Sequence, residues 1–285
     1  MSPVKYKVKR PIPPHQIDPK PYQETYSTLA YPFFVLKNQC DTRDIEFCGK
    51  DGFVTRISPG KNGLPNMFDK DIVVYAISIA VRTGERDVEF LARDFLDETG
   101  RSFSGFHYMS FKKSLSKLLD IKIETNLRSG KNAKTSNCGK RIIRNAMSSE
   151  HLLHEIYIEE TESKKTGKRV TAIKVRLSNF LWNAVKDKSD ILTLSSQYFA
   201  IKKPYEKRLY EVARQFCGNS DESKSLSIDI LQQRMGAKTS EKLFKYTLKK
   251  ICRNNNLPDY DVEMRENTRK IAFSFNPGKD YNPNP

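Results

Sequence analysis

The chain has 285 residues, which is long enough for two ordinary domains. Hydrophobic residues make up 38% of it and charged residues 29%, a composition that supports packed cores and argues against wholesale disorder. Fifty Lys and Arg residues against 34 Asp and Glu give a formal net charge of +16, which attracts polyanions. Nucleic acid is the usual partner of such a chain, ahead of an anionic membrane or an acidic protein.

Three further features bear on where the protein works. The longest nearly unbroken apolar run, residues 72–81, is too short to cross a bilayer. The basic N-terminus has no apolar stretch behind it, so no secretory signal is predicted. Five cysteines are scattered and form no C-x-x-C pair, which indicates neither a disulfide framework nor a zinc ribbon. We expect a soluble, cytoplasmic protein with reduced thiols, and with no metal, no cofactor and no membrane partner.

The first 30 residues differ from the rest of the chain. They carry six prolines and no regular apolar period, so they predict an extended or disordered arm. Residues 31–188 follow as a first predicted domain, which opens with a hairpin at 45–57 around the turn sequence GKDG. Its helices are predicted at 69–83, 92–99, 106–119 and 179–186, and its later strands at 88–91, 121–126, 141–147, 152–159 and 169–177.

The helix at 69–83 has the strongest local signals of this domain. Asp69 is a residue type that caps helices well, and Gly84 can end the helix. Apolar residues from Ile72 to Ile79 recur at the three- and four-residue spacing of a buried stripe. The pattern therefore predicts a helix that packs into the core.

Residues 189–285 form the second predicted domain and repeat the order of elements. They hold a helix at 204–216, a short strand at 226–228, a short helix at 229–235, a longer helix at 240–253 and a hairpin at 262–275. This is the order of a winged helix, in which a helix-turn-helix precedes a β wing. The sequence therefore predicts an α+β protein built from two tandem winged-helix domains.

The segment from 125 to 149 is the strongest basic signal in the chain. It holds no carboxylate, and Gly, Ser and Asn separate its cations, so it cannot bury apolar surface. It sits where we expect the first wing, which would lie along the DNA backbone or in the minor groove. A solvated loop with chance charge is the plain alternative. The cations predicted to bind DNA here are Arg128, Lys131, Lys134 and Lys140.

The helix at 240–253 separates apolar from basic residues. Its inward face is predicted to hold Phe244, Thr247, Leu248 and Ile251. A helix in the major groove needs this division, because its outer face donates to phosphates and bases. Lysine-rich surface helices that never touch DNA are also common. The predicted DNA-binding residues are Lys242, Lys245, Tyr246 and Lys249 on this helix, Ser110, Lys113 and Lys117 on the corresponding helix of the first domain, and Arg269 in the turn of the second hairpin.

The sequence carries no signature of a catalytic site. It lacks a G-x-x-x-x-G-K-[ST] phosphate-binding motif, since Thr125 stands where the first glycine should be. The two histidines of H-L-L-H at 151–154 would face opposite sides of a strand, so no metal site is predicted. We therefore expect a binding protein and not an enzyme. A nicking or joining enzyme is kept as a rival, and an RNA binder is disfavoured because the stacking aromatics of the common RNA modules do not appear.

Several long segments carry a family resemblance. They are GLPNMFDKDIVVYAIS at 63–78, DFLDETGRSFSGFHYMSFKKSLSKL at 94–118 and YFAIKKPYEKRLYEVARQFCG at 198–218, with FFVLKNQ near the start and LPDYDV at 257–262. Together they closely resemble the replication initiator protein A family of bacterial plasmids. The resemblance runs in the same order from about residue 31 to residue 275, so it covers nearly the whole predicted fold.

The resemblance implies a protein that binds its own plasmid origin as double-stranded DNA, often at repeated sites, and recruits host replication proteins. Related initiators with two winged helices also repress their own promoters, commonly as dimers, so a homodimer is an expectation. The family offers no catalytic residues to carry over, and the DNA-binding residues above rest on helix geometry and charge. The alternative is a winged-helix transcriptional regulator, such as an autorepressor, without a role in replication.

Overall fold

The computed structural model describes residues 21–36, 43–48, 54–126, 148–162 and 169–282. Strand β1 (Gln23–Thr25) and helix α1 (Tyr26–Ala30) come first, and β1 pairs antiparallel with β9 (Ile191–Thr193). Thr25 caps α1, and Leu29 is fully buried. The prediction of an arm is therefore wrong for residues 23–30, because they pair and pack with the second half of the chain. Residues 1–20 lie outside the described residues.

The other elements alternate between helices and short antiparallel strands. In the first half they are β2 (Ile45–Cys48), β3 (Val54–Ser58), α2 (Met67–Thr83), β4 (Asp87–Leu91), α3 (Ala92–Glu98), α4 (Gly105–Asp120), β5 (Lys122–Thr125), β6 (Ser148–Glu150), β7 (Leu153–Glu162), β8 (Arg169–Leu177) and α5 (Asn179–Lys186). In the second half, β9 is followed by α6 (Pro204–Phe216), β10 (Lys224–Ser227), α7 (Ile228–Met235), α8 (Glu241–Asn254), β11 (Tyr260–Arg265) and β12 (Lys270–Phe275).

Helix α2 lies at the centre of the first half, and its residues from 69 to 80 are all buried. Asn66, and not the predicted Asp69, is its N-cap: the Asn66 side chain accepts hydrogen bonds from the backbone N–H groups of Phe68 at 2.8 Å and Asp69 at 3.1 Å. Asp69 in turn accepts the Asn66 N–H at 2.8 Å, which completes a capping box. Gly84 ends the helix in the left-handed conformation, as predicted.

Two three-stranded antiparallel sheets stand in the same relation to their helices. In the first half, leaving aside β5 and β6, the elements run α2, β4, α3, α4, β7 and β8, and the strands of this sheet lie in the order β4-β8-β7. In the second half the elements run α6, β10, α7, α8, β11 and β12, and the strands lie in the order β10-β12-β11. In both sheets the strand before the short helix pairs with the last strand of the hairpin. The fold is mixed α+β, as predicted, and contains one topology twice.

The segment predicted as the first wing has a different place in this topology. Strands β5 and β6 do pair antiparallel, but both belong to a separate four-stranded sheet of order β2-β3-β5-β6. The counterpart of the hairpin β11–β12 is β7–β8. The sequence pattern placed the hairpin that follows α4 one strand pair too early, because nothing in the local sequence of β5 shows that β3 pairs with it. The second strand predicted for that hairpin, 141–147, lies outside the described residues.

Charged side chains meet where α2 contacts α6. Lys70 and Glu211 form an ion pair at 2.9 Å, and Lys207 and Asp71 form another at 2.6 Å, with each side chain 5% exposed or less. Arg208 pairs with Glu211 at 2.8 Å and donates to a backbone oxygen of α1 at 3.0 Å. Buried charged residues of one half thus form ion pairs with buried charged residues of the other, and these pairs join the two halves. The domain boundary between residues 188 and 189 stays a prediction.

Candidate nucleic-acid interface

Helix α8 has one buried face and one exposed face. Ser240 caps the helix and accepts a hydrogen bond from the Leu243 N–H at 3.4 Å. The predicted inward residues Phe244, Leu248 and Ile251 are buried. Thr247, also predicted inward, is half-buried, and its hydroxyl donates to the Leu243 backbone oxygen at 3.0 Å. The buried stripe fixes which side of α8 faces outward.

The outward side of α8 carries the predicted cations. Lys242 and Lys249 are exposed, Lys245 is half-buried, and the Tyr246 side chain is 67% exposed. Glu241 is the single acidic residue of α8, and its carboxylate is engaged by Arg269. The face therefore presents a net positive charge to any partner that approaches it.

Helix α4 is the counterpart of α8 in the first half. Ser104 caps it and accepts a hydrogen bond from the His107 N–H at 3.3 Å. Phe111 and Leu115 are buried against the core, while the predicted DNA-binding residues Lys113 and Ser110 are exposed and half-buried, respectively. Both residues are accessible to a partner along the outer side of α4.

Lys117 has a different environment from the one predicted. Its ammonium pairs with the carboxylate of Asp69 at 2.9 Å, and its side chain is 12% exposed. The hydroxyl of Ser114 donates to the same carboxylate at 2.5 Å. The expectation that Lys117 faces outward is wrong, because the buried Asp69 carboxylate at the start of α2 requires a cation close to it.

Arg269 lies in the turn between β11 and β12, as predicted, with φ 51°. It is exposed, and its guanidinium bonds to Glu241 and lies 3.9 Å from a carboxylate oxygen of Asp229. These acidic residues belong to α8 and α7, so Arg269 links the second hairpin to both helices. Its charge is shared with them, which reduces what it offers to a phosphate.

The basic segment at 125–149 lies mostly outside the described residues. Its predicted DNA-binding cations Arg128, Lys131, Lys134 and Lys140 all fall within the undescribed stretch 127–147, so their role stays a prediction. Strands β5 and β6, at its two ends, are described. They pair antiparallel, with Ile123 opposite Glu150 and Thr125 opposite Ser148.

The hairpin β7–β8 is tied to α4 through one carboxylate. The Tyr108 hydroxyl donates to Glu160 at 2.6 Å, and the Lys112 ammonium pairs with the same side chain at 2.5 Å. The hydrogen bond from Lys112 to Glu160 raises the pKa of the Lys112 ammonium. These contacts hold the first hairpin beside the outer side of α4, as Arg269 does for the second hairpin beside α8.

Exposed apolar residues are a further feature of this surface, and the predicted site residues do not include them. Phe103 is 46%, Phe106 80% and Met109 65% exposed around the start of α4, and Leu243 is 52% exposed on α8. Their position off the buried stripe of each helix is the signal that could have identified them. Large apolar residues exposed together mark interaction surfaces more often than solitary ones do.

The repeated topology and its outward helix faces allow a comparison with known proteins. The crystal structure of selenomethionine derivatives of domains 2 and 3 of RctB is similar with a TM-score of 0.59 at 10% sequence identity, and the match covers 88% of this chain and 98% of that one. At this identity the likeness defines the class of fold, which is that of these RctB domains.

Comparison of sequences identifies the family of the chain, which the likeness of folds does not. A putative replication protein of Wigglesworthia glossinidia brevipalpis is 33% identical over 260 residues, which is 89% of this chain and 88% of the relative. The model of the family "Replication initiator protein A" matches residues 23–262. The chain therefore belongs to the replication initiator protein A family, and the resemblance seen in its sequence is confirmed.

No helix among the described ranges is long and apolar enough to cross a membrane.

Proposed function

We propose that this initiator starts replication of a plasmid by binding specific double-stranded DNA at the origin through two tandem winged-helix units. The observation that carries the proposal is the repeated topology, with α3, α4 and β7–β8 in one unit and α7, α8 and β11–β12 in the other. In a helix-turn-helix the longer second helix enters the major groove, and a wing contacts the backbone or the minor groove. In each unit a short helix, a longer helix and a hairpin follow one another in that order, which supports the proposal.

Charge supports DNA as the partner. The chain has a formal net charge of +16. Lys113 lies on the outward face of α4, and Lys242 and Lys249 lie on that of α8, while the opposite face of each helix is buried. Lysines that pair with phosphates supply affinity without sequence information, whereas contacts to base edges select the site. If the two units occupy successive major grooves, one site spans about two helical turns.

The proposal has four further parts. The protein acts by binding and carries out no catalysis of its own, in keeping with the absence of a nucleotide-binding motif from the sequence. It recruits host replication proteins to the origin, and it works in the cytoplasm, where plasmids are replicated. It forms a homodimer in at least one of its roles, as the family resemblance implies.

Protection of DNA that flanks the gene tests the binding proposal. We expect a footprint of about two helical turns per bound chain, in repeated sites, with the mass of each complex giving the number of chains bound. A scrambled duplex of the same length is the control for non-specific binding. Equal affinity for both duplexes, or protection without a defined site, would overturn specific origin binding.

Two further assays distinguish a replication initiator from a transcriptional regulator and from a nicking enzyme. A plasmid that carries the protected DNA and this gene is expected to be maintained autonomously; repression of the gene's promoter without plasmid maintenance would favour the transcriptional regulator. Incubation of supercoiled origin DNA with the protein and a divalent metal is expected to leave the DNA supercoiled. Relaxed product or a covalent tyrosine adduct would instead establish a nicking enzyme.

A further inference from the structure

Large apolar side chains are exposed at the start of both longer helices. On α4, Phe106 is 80% and Met109 65% exposed; on α8, Leu243 is 52% and Tyr246 67% exposed. Each pair is spaced by three residues, lies within the first two turns, and follows a capping serine. Two exposed apolar side chains three residues apart thus lie near the start of each longer helix, and the pair on α8 stands one residue further from its capping serine than the pair on α4.

The polar groups of α4 are largely engaged by other parts of the protein. Lys112 pairs with a carboxylate of β7 at 2.5 Å, and Lys117 pairs with a carboxylate of α2 at 2.9 Å. The Nδ1 atom of His107 lies 3.0 Å from the hydroxyl of the capping serine. Lys113 is exposed and makes no ion pair with a described residue. The exposed side chains in the first two turns of α4 are those of Phe106 and Met109, so this part of the helix offers a partner apolar surface more than hydrogen-bond donors.

The charge around these exposed apolar residues indicates which class of partner contacts them. A surface with exposed lysines beside its apolar side chains, on a chain of net charge +16, is complementary to a polyanion and not to an apolar protein surface. In the major groove of DNA the apolar group is the 5-methyl group of thymine, and apolar side chains recognise it by contact. Thymine is therefore the base that this surface fits.

We propose that Phe106 and Met109 on α4 read thymine through its methyl group, and that Leu243 does so on α8. The inference rests on the proposed function and adds to it which base is read and by which side chains. Phosphate contacts by Lys113 and Lys242 would hold the helices in the groove, while the apolar contacts select the sequence.

Replacing thymine by uracil in a synthetic duplex of the protected site tests this proposal. The exchange removes one methyl group and leaves the hydrogen-bonding groups of the base unchanged. At a contacted position we expect the affinity of the wild-type protein to fall about fourfold, the effect of losing one buried methyl-sized group. Phe106→Ala is expected to bind the thymine duplex more weakly and to show no further loss with uracil at its own position.

Lys113→Ala is the matched control on the same helix. It is expected to weaken binding to the thymine and uracil duplexes by the same factor, so that their ratio stays that of the wild type. Because Phe106 is exposed, the thermal unfolding of Phe106→Ala is expected to match the wild type, which separates lost contact from lost fold.

The outcomes that overturn the inference differ from those that overturn the proposed function. Specific binding with a thymine-to-uracil ratio near one at every position would overturn the inference alone. The same holds if Phe106→Ala and Met109→Ala keep the wild-type affinity and ratio, a result that would assign the exposed apolar residues to a protein partner. Failure of the wild-type protein to bind any specific duplex would overturn both.

Discussion

The ammonium of Lys70 lies 2.9 Å from a carboxylate oxygen of Glu211, and this fully buried ion pair joins α2 to α6. Arg208 and the hydroxyl of Tyr198 bond to the same carboxylate, at 2.8 and 2.7 Å. Burial by itself raises the pKa of Glu211, but Lys70 and Arg208 outweigh it and hold the pKa below its ordinary value. The contact between the two halves therefore depends on charges that compensate each other.

Glu211→Gln is expected to destabilise the protein by about 3–5 kcal/mol, because it leaves Lys70 and Arg208 buried without their anion. Urea unfolding followed by the fluorescence of the single tryptophan, Trp182, measures this. Arg93→Ala is the control, since its pair with Asp97, at 3.5 Å, is exposed; it is expected to change stability little. Equal losses for the two variants would contradict a structural role for the buried charges.

Asp87 and Arg176 make the stability depend on pH. The guanidinium of Arg176 bonds to both carboxylate oxygens of Asp87, at 2.7 and 2.9 Å, and joins β4 to β8. These hydrogen bonds lower the pKa of Asp87. Since the folded pKa lies below the unfolded one, the stabilisation is complete above the unfolded value of about 3.9 and is lost as the pH falls through the folded value.

Asp87→Asn is therefore expected to be less stable than the wild type at neutral pH, and the difference should shrink below about pH 4. Urea midpoints measured for both proteins across this range provide the test. A difference that stays constant down to the most acidic conditions would show that the Asp87 carboxylate is not the titrating group.

Lys113 and Lys117 are expected to behave differently although they lie four residues apart on α4. Lys117→Ala should destabilise the fold by about 1–3 kcal/mol, because the buried carboxylate of Asp69 loses its cation. Lys113→Ala should leave the urea midpoint unchanged and lower the affinity for origin DNA. Unfolding and binding measured on the same preparations decide this, and a reversed order of effects would refute the assignment.

Lys242→Ala is expected to weaken binding to specific and scrambled duplexes alike and to lower the salt slope of the affinity by about one unit. The physical reason is the loss of one phosphate contact and of the counterion that it releases. Fluorescence anisotropy at several salt concentrations measures the slope. Lys186→Ala, at the exposed end of α5, serves as the control, and its slope should equal that of the wild type. A loss confined to one base position, with an unchanged slope, would make Lys242 a base-reading residue.

Local signals in the sequence determined most of the helices and the family. Proline near the first turn and Gly218 beyond the end predicted the bounds of α6 as 204–216, and these are the bounds observed. The apolar spacing of Phe244, Leu248 and Ile251 likewise predicted the orientation of α8, because a helix with one apolar stripe can bury only that side. Such features depend on residues within a few turns of one another, so a single sequence contains them.

The tertiary structure decided several strand pairings and side-chain environments that the local sequence does not determine. Strand β5 joins the sheet of β3 and not that of β7 and β8, Lys117 turns toward Asp69, and residues 23–30 pack against the second half. Each of these outcomes depends on contacts between residues far apart in the chain, and the energies of burial and ion pairing are set only when those residues meet.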